Sequence, residues 1–293
     1  MSKENNSGPS EYELKRQDLT NSVGQGVQIL LKLKYKEILH QGLPLPDWDD
    51  VQFRAYSRNT EDGLLLFIFS LIGTTNKHFV EICAGNGYEN NTANLVINHG
   101  WHGLMVDGNE KLIEAAKRYY KQCPDTRIFP PKLAHAWITT ESVNELITSN
   151  GFQGEVDLFS LDIDGNDYWI WDAIDCVDPR VVILEYSNAW GPEHAVTQKY
   201  EADYVWKPKA TPLGICGASL PAFVKLGRSK GYRLVCVNSR CNNAIFIRNG
   251  IADDLIPAFP VEKCFTTPMS QFNIARRIEY EKTASLMDHW VEV

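Results

Sequence analysis

Between His78 and Arg248, short apolar runs alternate with segments of helical period, and that alternation leaves few folds open. His78–Ala84, Leu104–Asp107, Thr126–Ala134 (broken by Pro130 and Pro131), Val156–Ile163 and Arg180–Tyr186 read as strands. Glu89–His99, Asn109–Gln122, Thr139–Ser149 and Tyr168–Ile174 read as the helices between them. After an irregular connection over 187–216 come a helix at Ser219–Lys230 and a closing strand pair, Tyr232–Asn238 and Ala244–Arg248. The pattern predicts an α/β fold: a mostly parallel seven-stranded sheet with helices on both faces. Such sheets bind ligands where the chain leaves the carboxyl ends of the strands.

The flanks differ from this middle. Residues 1–20 read as a frayed start, 22–41 as a helix, and LPLPDWDD as a proline-marked connector. Asn59, Thr60, Glu61 and Asp62 suit the start of a buried helix running to about Leu71. A C-terminal helix is expected over 271–290. We therefore expect an N-terminal helical extension over 1–56, the α/β domain over 57–250, and a C-terminal helical extension over 251–293. The terminal helices are candidates for pairing subunits of a homo-oligomer or for covering the sheet.

Composition narrows the partners. Net charge is -8, with 44% hydrophobic and 23% charged residues, an ordinary globular balance. An acidic chain gains little from phosphate attraction, so a nucleic-acid surface is not expected, local lysines such as Lys207, Lys209, Lys225 and Lys230 notwithstanding. Gly63–Gly73 is the most apolar run and is too short to span a bilayer, so no membrane role is expected. Seven scattered cysteines without a CxxC pair fit reduced thiols and a cytoplasmic location, which leaves the sequons at Asn5 and Asn90 without meaning.

Two candidate sites follow strand ends. The first strand runs into Glu81-Ile-Cys-Ala-Gly-Asn-Gly, where Gly85 and Gly87 permit a tight turn and close approach by a ligand. Asp107 stands 20 residues past Gly87, where a carboxylate can accept both hydroxyls of a ribose. A nicotinamide dinucleotide asks for a third glycine, where this chain has Asn90, and a pyrophosphate would meet Glu89 at the expected helix start. S-adenosylmethionine, cationic and phosphate-free, suits Glu81 and its surroundings better.

The run FVEICAGNGYENNTANLVINHGWHGLMVDGNEK resembles class I S-adenosylmethionine-dependent methyltransferases of the FkbM-like branch. So do GEVDLFSLDIDGNDYWIWDAI, PRVVILEYSNAWGP and GASLPAFVKLGRSKGYRLVCVNSRCNNAIFIRN. The resemblance covers roughly residues 57–250 and implies a Rossmann-like methyltransferase domain. It implies that Glu81, Gly85 and Gly87 form the cofactor loop, that Asp107 holds the ribose, and that His135, Ala136 and Trp137 fall at the adenine. Two positions depart from the family pattern: Cys83 stands where many members have the first glycine, and Asp164 where many have Glu.

The second candidate is Asp162-Ile-Asp-Gly-Asn-Asp167, three carboxylates and an amide within six residues. Like charges this close need a cation, a substrate amine or hydrogen bonds. A calcium loop of the EF-hand type fails, because Asp167 takes the place of its Gly and Ala173 that of its bidentate Glu. Asp162, Asp164 and Glu185 remain candidates for Mg2+ or Mn2+, which would acidify an acceptor hydroxyl. The plainer alternative gives Asp162 to the methionine amino group and leaves Asp164 or Asp167 to cap a helix. Asp162, His135 and His194 are the catalytic candidates, the histidines as general bases. Tyr168, Trp169 and Trp171 divide between stacking and core roles, Trp190 and Trp206 lie where a lid would sit, and Asn238, Asn242 and Asn243 read as turn formers. The expected activity is O-methylation of a sugar or other small hydroxylated metabolite, a small molecule or glycan. The competing readings are a nicotinamide-dependent oxidoreductase and a non-catalytic binding module that kept the fold.

Overall fold

A five-residue apolar strand, β1 (His78–Ile82), opens the sheet, and it is entered through a loop fastened by one buried acid. Asp157 accepts hydrogen bonds from the backbone N–H groups of Thr75, Asn76 and Lys77. The Arg180 guanidinium, 2.7 Å away, balances its charge. A buried carboxylate with this many donors holds the chain in one path.

The computed structural model describes residues 24–207 and 212–293. The expected frayed start over 1–20, the Asn5 sequon and Lys209 lie outside the described residues. The remaining strands are β2 (His102–Asp107), β3 (Lys132–His135), β4 (Gly154–Leu161), β5 (Val177–Glu185), β6 (Val196–Gln198), β7 (Tyr232–Val237), β8 (Asn243–Arg248) and β9 (Trp290–Glu292). Eight α-helices accompany them among the described residues. These are α1 (Gln25–His40), α2 (Glu61–Ile72), α3 (Ala93–His99), α4 (Glu110–Gln122), α5 (Val143–Ser149), α6 (Asp167–Ala173), α7 (Leu220–Ser229) and α8 (Pro268–Glu281). None is long and apolar enough to cross a membrane.

Seven strands form one sheet in the order β3-β2-β1-β4-β5-β8-β7, the Rossmann-like class expected from the alternation. β1 with β4, β4 with β5 and β2 with β3 run parallel; β8 is antiparallel to both β5 and β7. The central strands are buried along nearly their whole length, as strands covered on both sides must be.

Two compact units emerge: Met1–Gly73 with Ala84–Ala136, and Thr74–Cys83 with Trp137–Val293. In the first, α1 lies against α2, where the Tyr35 and Phe67 rings meet edge to face at 4.9 Å. Asp62 at the start of α2 accepts from the N–H groups of Ala55, Tyr56 and Ser57 and from the Ser57 hydroxyl. In the second, Trp171 is buried among Phe223, Tyr232 and Phe246, which gives it the core role.

Several expected boundaries move: of the strand expected over Thr126–Ala134 only Lys132–His135 forms, beyond the two prolines, and the helix expected over Thr139–Ser149 begins at Val143. The helix expected from Glu89 begins at Ala93, because two asparagines postpone it. The Asn86 side chain takes the N–H groups of Tyr88 and Glu89, and the Asn90 side chain those of Thr92 and Ala93. The helix expected over 271–290 spans Pro268–Glu281, and the chain then bends so that Leu286 and Trp290 enter an apolar cluster with Trp190 and Val196. The connection over 187–216 is not wholly irregular: it contains β6, which pairs antiparallel with β9.

Candidate active site

The first group of residues lies in the first unit and centres on Asp107. This residue ends β2 and is 5% exposed. One carboxylate oxygen accepts the Gly85 N–H at 2.9 Å, the other the Asn109 N–H at 2.8 Å. Each oxygen keeps a second lone pair, so the carboxylate is oriented by the backbone and still able to accept two adjacent hydroxyls.

The loop facing it depends on its glycines. Gly85 has φ +59°, and a Cβ built there would meet nothing within 4 Å: the turn opens onto space. Gly87 has φ +78°, and a Cβ there would lie 2.7 Å from that of Ala116, so α4 can approach only because this position lacks a side chain. Cys83 has φ +66°, a backbone conformation that glycine favours. The departure at this position therefore keeps the loop's shape and changes only its side chain.

Asn90 stands where a dinucleotide motif would place its third glycine. It is buried, its amide N–H donates to the Ala84 carbonyl, and its oxygen takes the Ala93 N–H at 2.8 Å. Donors at the start of α3 are thus taken by the protein itself rather than offered to a pyrophosphate. The dinucleotide reading is disfavoured by Asn90, not by Glu89, which stands in the loop and not at the helix start. At the end of β3, the Ala136 N–H reaches the Asp107 carbonyl at 3.1 Å, and the exposed His135 ring bonds the Gly108 carbonyl at 3.1 Å. Gly85, Gly87, Asp107, His135 and Ala136 are therefore gathered around one strand end.

The second group lies in the second unit. Glu81 on β1 is buried and accepts from the Ser160 hydroxyl at 3.2 Å. Beyond β4, the loop carrying Asp162 and Asp164 is braced from below by Asp167. That residue is 1% exposed and accepts from the Ile163 N–H at 2.8 Å and the Gly165 N–H at 3.0 Å. Burial, with the Asp162 charge adding to it, pushes the Asp167 carboxyl up to about 7. Oxygens of Asp162, Asp164 and Glu185 all come within 4.8 Å of one another. Burial holds the Glu185 carboxyl well above its ordinary range, and Asp162, its hydrogen-bond partner, pushes the same way. Two carboxyls in hydrogen-bond contact require a shared proton or a cation. Asp164 also has φ +59°, a conformation that costs a non-glycine residue about 1 kcal/mol and that is concentrated at functional sites.

His194 does not join this group. It is exposed, with its ring centroid 6.1 Å from that of Trp190, and Trp190 is buried in the cluster with Trp290. The turn of asparagines behaves as expected: the Asn238 oxygen accepts from the N–H groups of Asn242 and Asn243, and the Asn242 amide also reaches Glu185 at 3.4 Å. Backbone carbonyls of Gln198, Glu201 and Ala202, which the sequence did not single out, complete the surroundings. The Asn166 amide donates to the Glu201 carbonyl, the Trp169 indole N–H to the Gln198 carbonyl, and the Trp137 indole N–H to the Ala202 carbonyl. Together these fasten the segment over 198–204 beside the acids. No local pattern announces Gln198 or Tyr204, since both arrive through long-range pairing.

No family model matches the chain, and no curated protein matches it in sequence. Solved structures do resemble it. An S-adenosylmethionine-dependent methyltransferase from Clostridium acetobutylicum is 10% identical, with a TM-score of 0.41 over 75% of this chain and 98% of that one. Magnesium protoporphyrin IX methyltransferase from Synechocystis, with bound S-adenosylmethionine, is 10% identical, with a TM-score of 0.39 over 64% and 78%. The N-terminal domain of EvdMO1, with S-adenosylhomocysteine bound, is 12% identical, with a TM-score of 0.42 over 75% and 94%. All three likenesses are distant.

Proposed function

We propose that this protein is an S-adenosylmethionine-dependent methyltransferase that transfers a methyl group to a hydroxyl oxygen of a sugar or another small hydroxylated molecule, with help from a divalent cation. The observation that carries the cofactor reading is Asp107, a buried carboxylate already oriented by the Gly85 and Asn109 N–H groups and still holding one lone pair on each oxygen. A ribose diol fits that acceptor pair, and the open space at Gly85 gives it room. Asn90 weighs against a dinucleotide, because it occupies the donors a pyrophosphate would need. In the second unit, Glu81 and Asp162 carry carboxylates of the kind that suit an amino group or a sulfonium.

When bound, S-adenosylmethionine supplies a methyl group on a cationic sulfur. The protein's part is to hold an acceptor oxygen in line with it. Asp162, Asp164 and Glu185 suit Mg2+ or Mn2+: three oxygen donors within 4.8 Å of one another match a hard cation, which would relieve the Asp162–Glu185 contact as a shared proton does. A cation held there would lower the pKa of an acceptor hydroxyl.

Calorimetric titration of the purified protein with S-adenosylmethionine, S-adenosylhomocysteine and NAD, with and without Mg2+, tests this reading. We expect the two sulfur nucleosides to bind and NAD not to. Asp107→Ala should weaken them by 100-fold or so, the order of two charge-assisted hydrogen bonds. Binding of NAD alone would overturn the reading.

A further inference from the structure

We propose that Gln198 and Tyr204 are positioning residues for the cation at Asp162, Asp164 and Glu185, accepting hydrogen bonds from its water shell. This rests on the cation reading and asks what else that site needs. Gln198 ends β6 and is 4% exposed. Its backbone is fixed on two sides of the acidic loop. The N–H donates to the Gly217 carbonyl at 3.3 Å, and the carbonyl accepts the Trp169 indole N–H at 2.8 Å. Gly217 in turn abuts the acids, since a Cβ there would lie 3.8 Å from an Asp167 carboxylate oxygen.

Tyr204 meets the same loop from its other side. Its ring lies against Gly165, where a Cβ would come within 2.5 Å of it. Glycine at 165 is what lets the ring approach. Burial pushes the Tyr204 phenol up, a side-chain hydrogen bond with Gln198 pulls it back, and the Asp164 charge raises it further.

Both side chains end in a buried polar atom without a well-formed hydrogen bond, Oε1 of Gln198 and the hydroxyl oxygen of Tyr204, which only the Gln198 amide approaches. Such atoms are costly, on the order of 1–3 kcal/mol each, and call for an explanation. Cation chemistry supplies one. An octahedral Mg2+ or Mn2+ with three carboxylate ligands has three positions left for water or an acceptor oxygen. Water on a divalent cation gives its lone pair to the metal and keeps two protons to donate, so it needs acceptors. Gln198 Oε1 can only accept, and a phenol oxygen accepts readily. Groups of this kind, one step removed from the metal, change metal affinity by 10–100-fold.

The experiment titrates the full chain with Mn2+, following the unbound ion by electron paramagnetic resonance, and measures Tm without metal. Tyr204→Phe keeps the ring against Gly165, and Gln198→Leu keeps the bulk in β6. Each should weaken Mn2+ binding about tenfold, while Tm without metal stays level or rises because a buried unpaired atom is gone. Gln198→Glu, which restores an acceptor, should recover the affinity. Equal Mn2+ affinity in wild type, Y204F and Q198L would overturn the proposal. A fall in metal-free Tm that tracks the lost affinity would also overturn it, by making the role structural. A wild type that leaves Mn2+ unbound at millimolar concentration would overturn the cation reading with it, leaving S-adenosylmethionine binding as a separate result.

Discussion

At the scale of single residues, the acids divide by what surrounds them. Asp62 is fully buried, four donors converge on one of its oxygens, and the other has no partner. Burial outweighs those donors and pushes its carboxyl up to about 6. The folded protein therefore holds this proton more tightly than the unfolded chain. The favourable contribution is complete below about pH 4, is lost as pH rises toward 6, and is a fixed cost beyond that. Asp62→Asn removes the titration. Wild type should gain about 2 kcal/mol on the variant between pH 6.5 and pH 4, in urea unfolding measured at both. Asp107, Asp162, Asp164 and Glu185 were legible in the sequence because each stands at a strand end, where the fold class says ligands bind. Asp167 was legible only as an acid. That it braces the loop of Asp162 depends on backbone N–H groups, which every residue but proline has and no pattern of side chains reveals.

At the scale of elements, α1 is held by a buried polar network as well as by the Tyr35 ring on Phe67. Gln28 and Asn94 exchange amide hydrogen bonds at 2.9 and 3.0 Å, and the His99 ring reaches Gln28 at 2.7 Å. Meanwhile Val27, Ile29, Leu30 and Leu33 of the same helix stay exposed. The network joins α1 to α3, the first helix after the glycine loop. Gln28→Ala should cost about 2–4 kcal/mol, since it strands a fully buried Asn94 amide. Chemical denaturation gives the size, and hydrogen exchange should show α1 opening first. The helix itself was readable from apolar spacing, but the partner of its polar face was not. The glycine loop shows the same limit. Its turn was legible in Gly85 and Gly87, whereas the delay of α3 to Ala93 comes from two asparagine side chains folding back on the loop's own N–H groups.

At the scale of the whole chain, the last strand serves a segment almost a hundred residues earlier. β9 pairs with β6 so that Trp290 faces Gln198, and Leu286 and Trp290 fill the cluster around Trp190. α8 adds to the clamp: the Arg277 guanidinium donates to the Ala189 carbonyl at 2.9 Å and lies over the Trp190 ring. Deleting residues 286–293 should therefore weaken Mn2+ binding at least as much as Gln198→Leu, with S-adenosylmethionine affinity kept within a few-fold, both read by titration. The sheet was legible because strand and helix periods repeat along the sequence. β6 was not, because three residues in a long connection acquire strand character only when a distant segment supplies the partner.

Cys83 gives this protein a built-in reporter. It is the one exposed thiol among the seven cysteines, the others being buried or half-buried, and it stands two residues before Gly85. An alkylating dye will reach it first, and its labelling rate reads directly whether the turn beside it is vacant or filled. Ligands can thus be ranked on the native chain by chemistry at a sulfur atom, before any methyl acceptor is known.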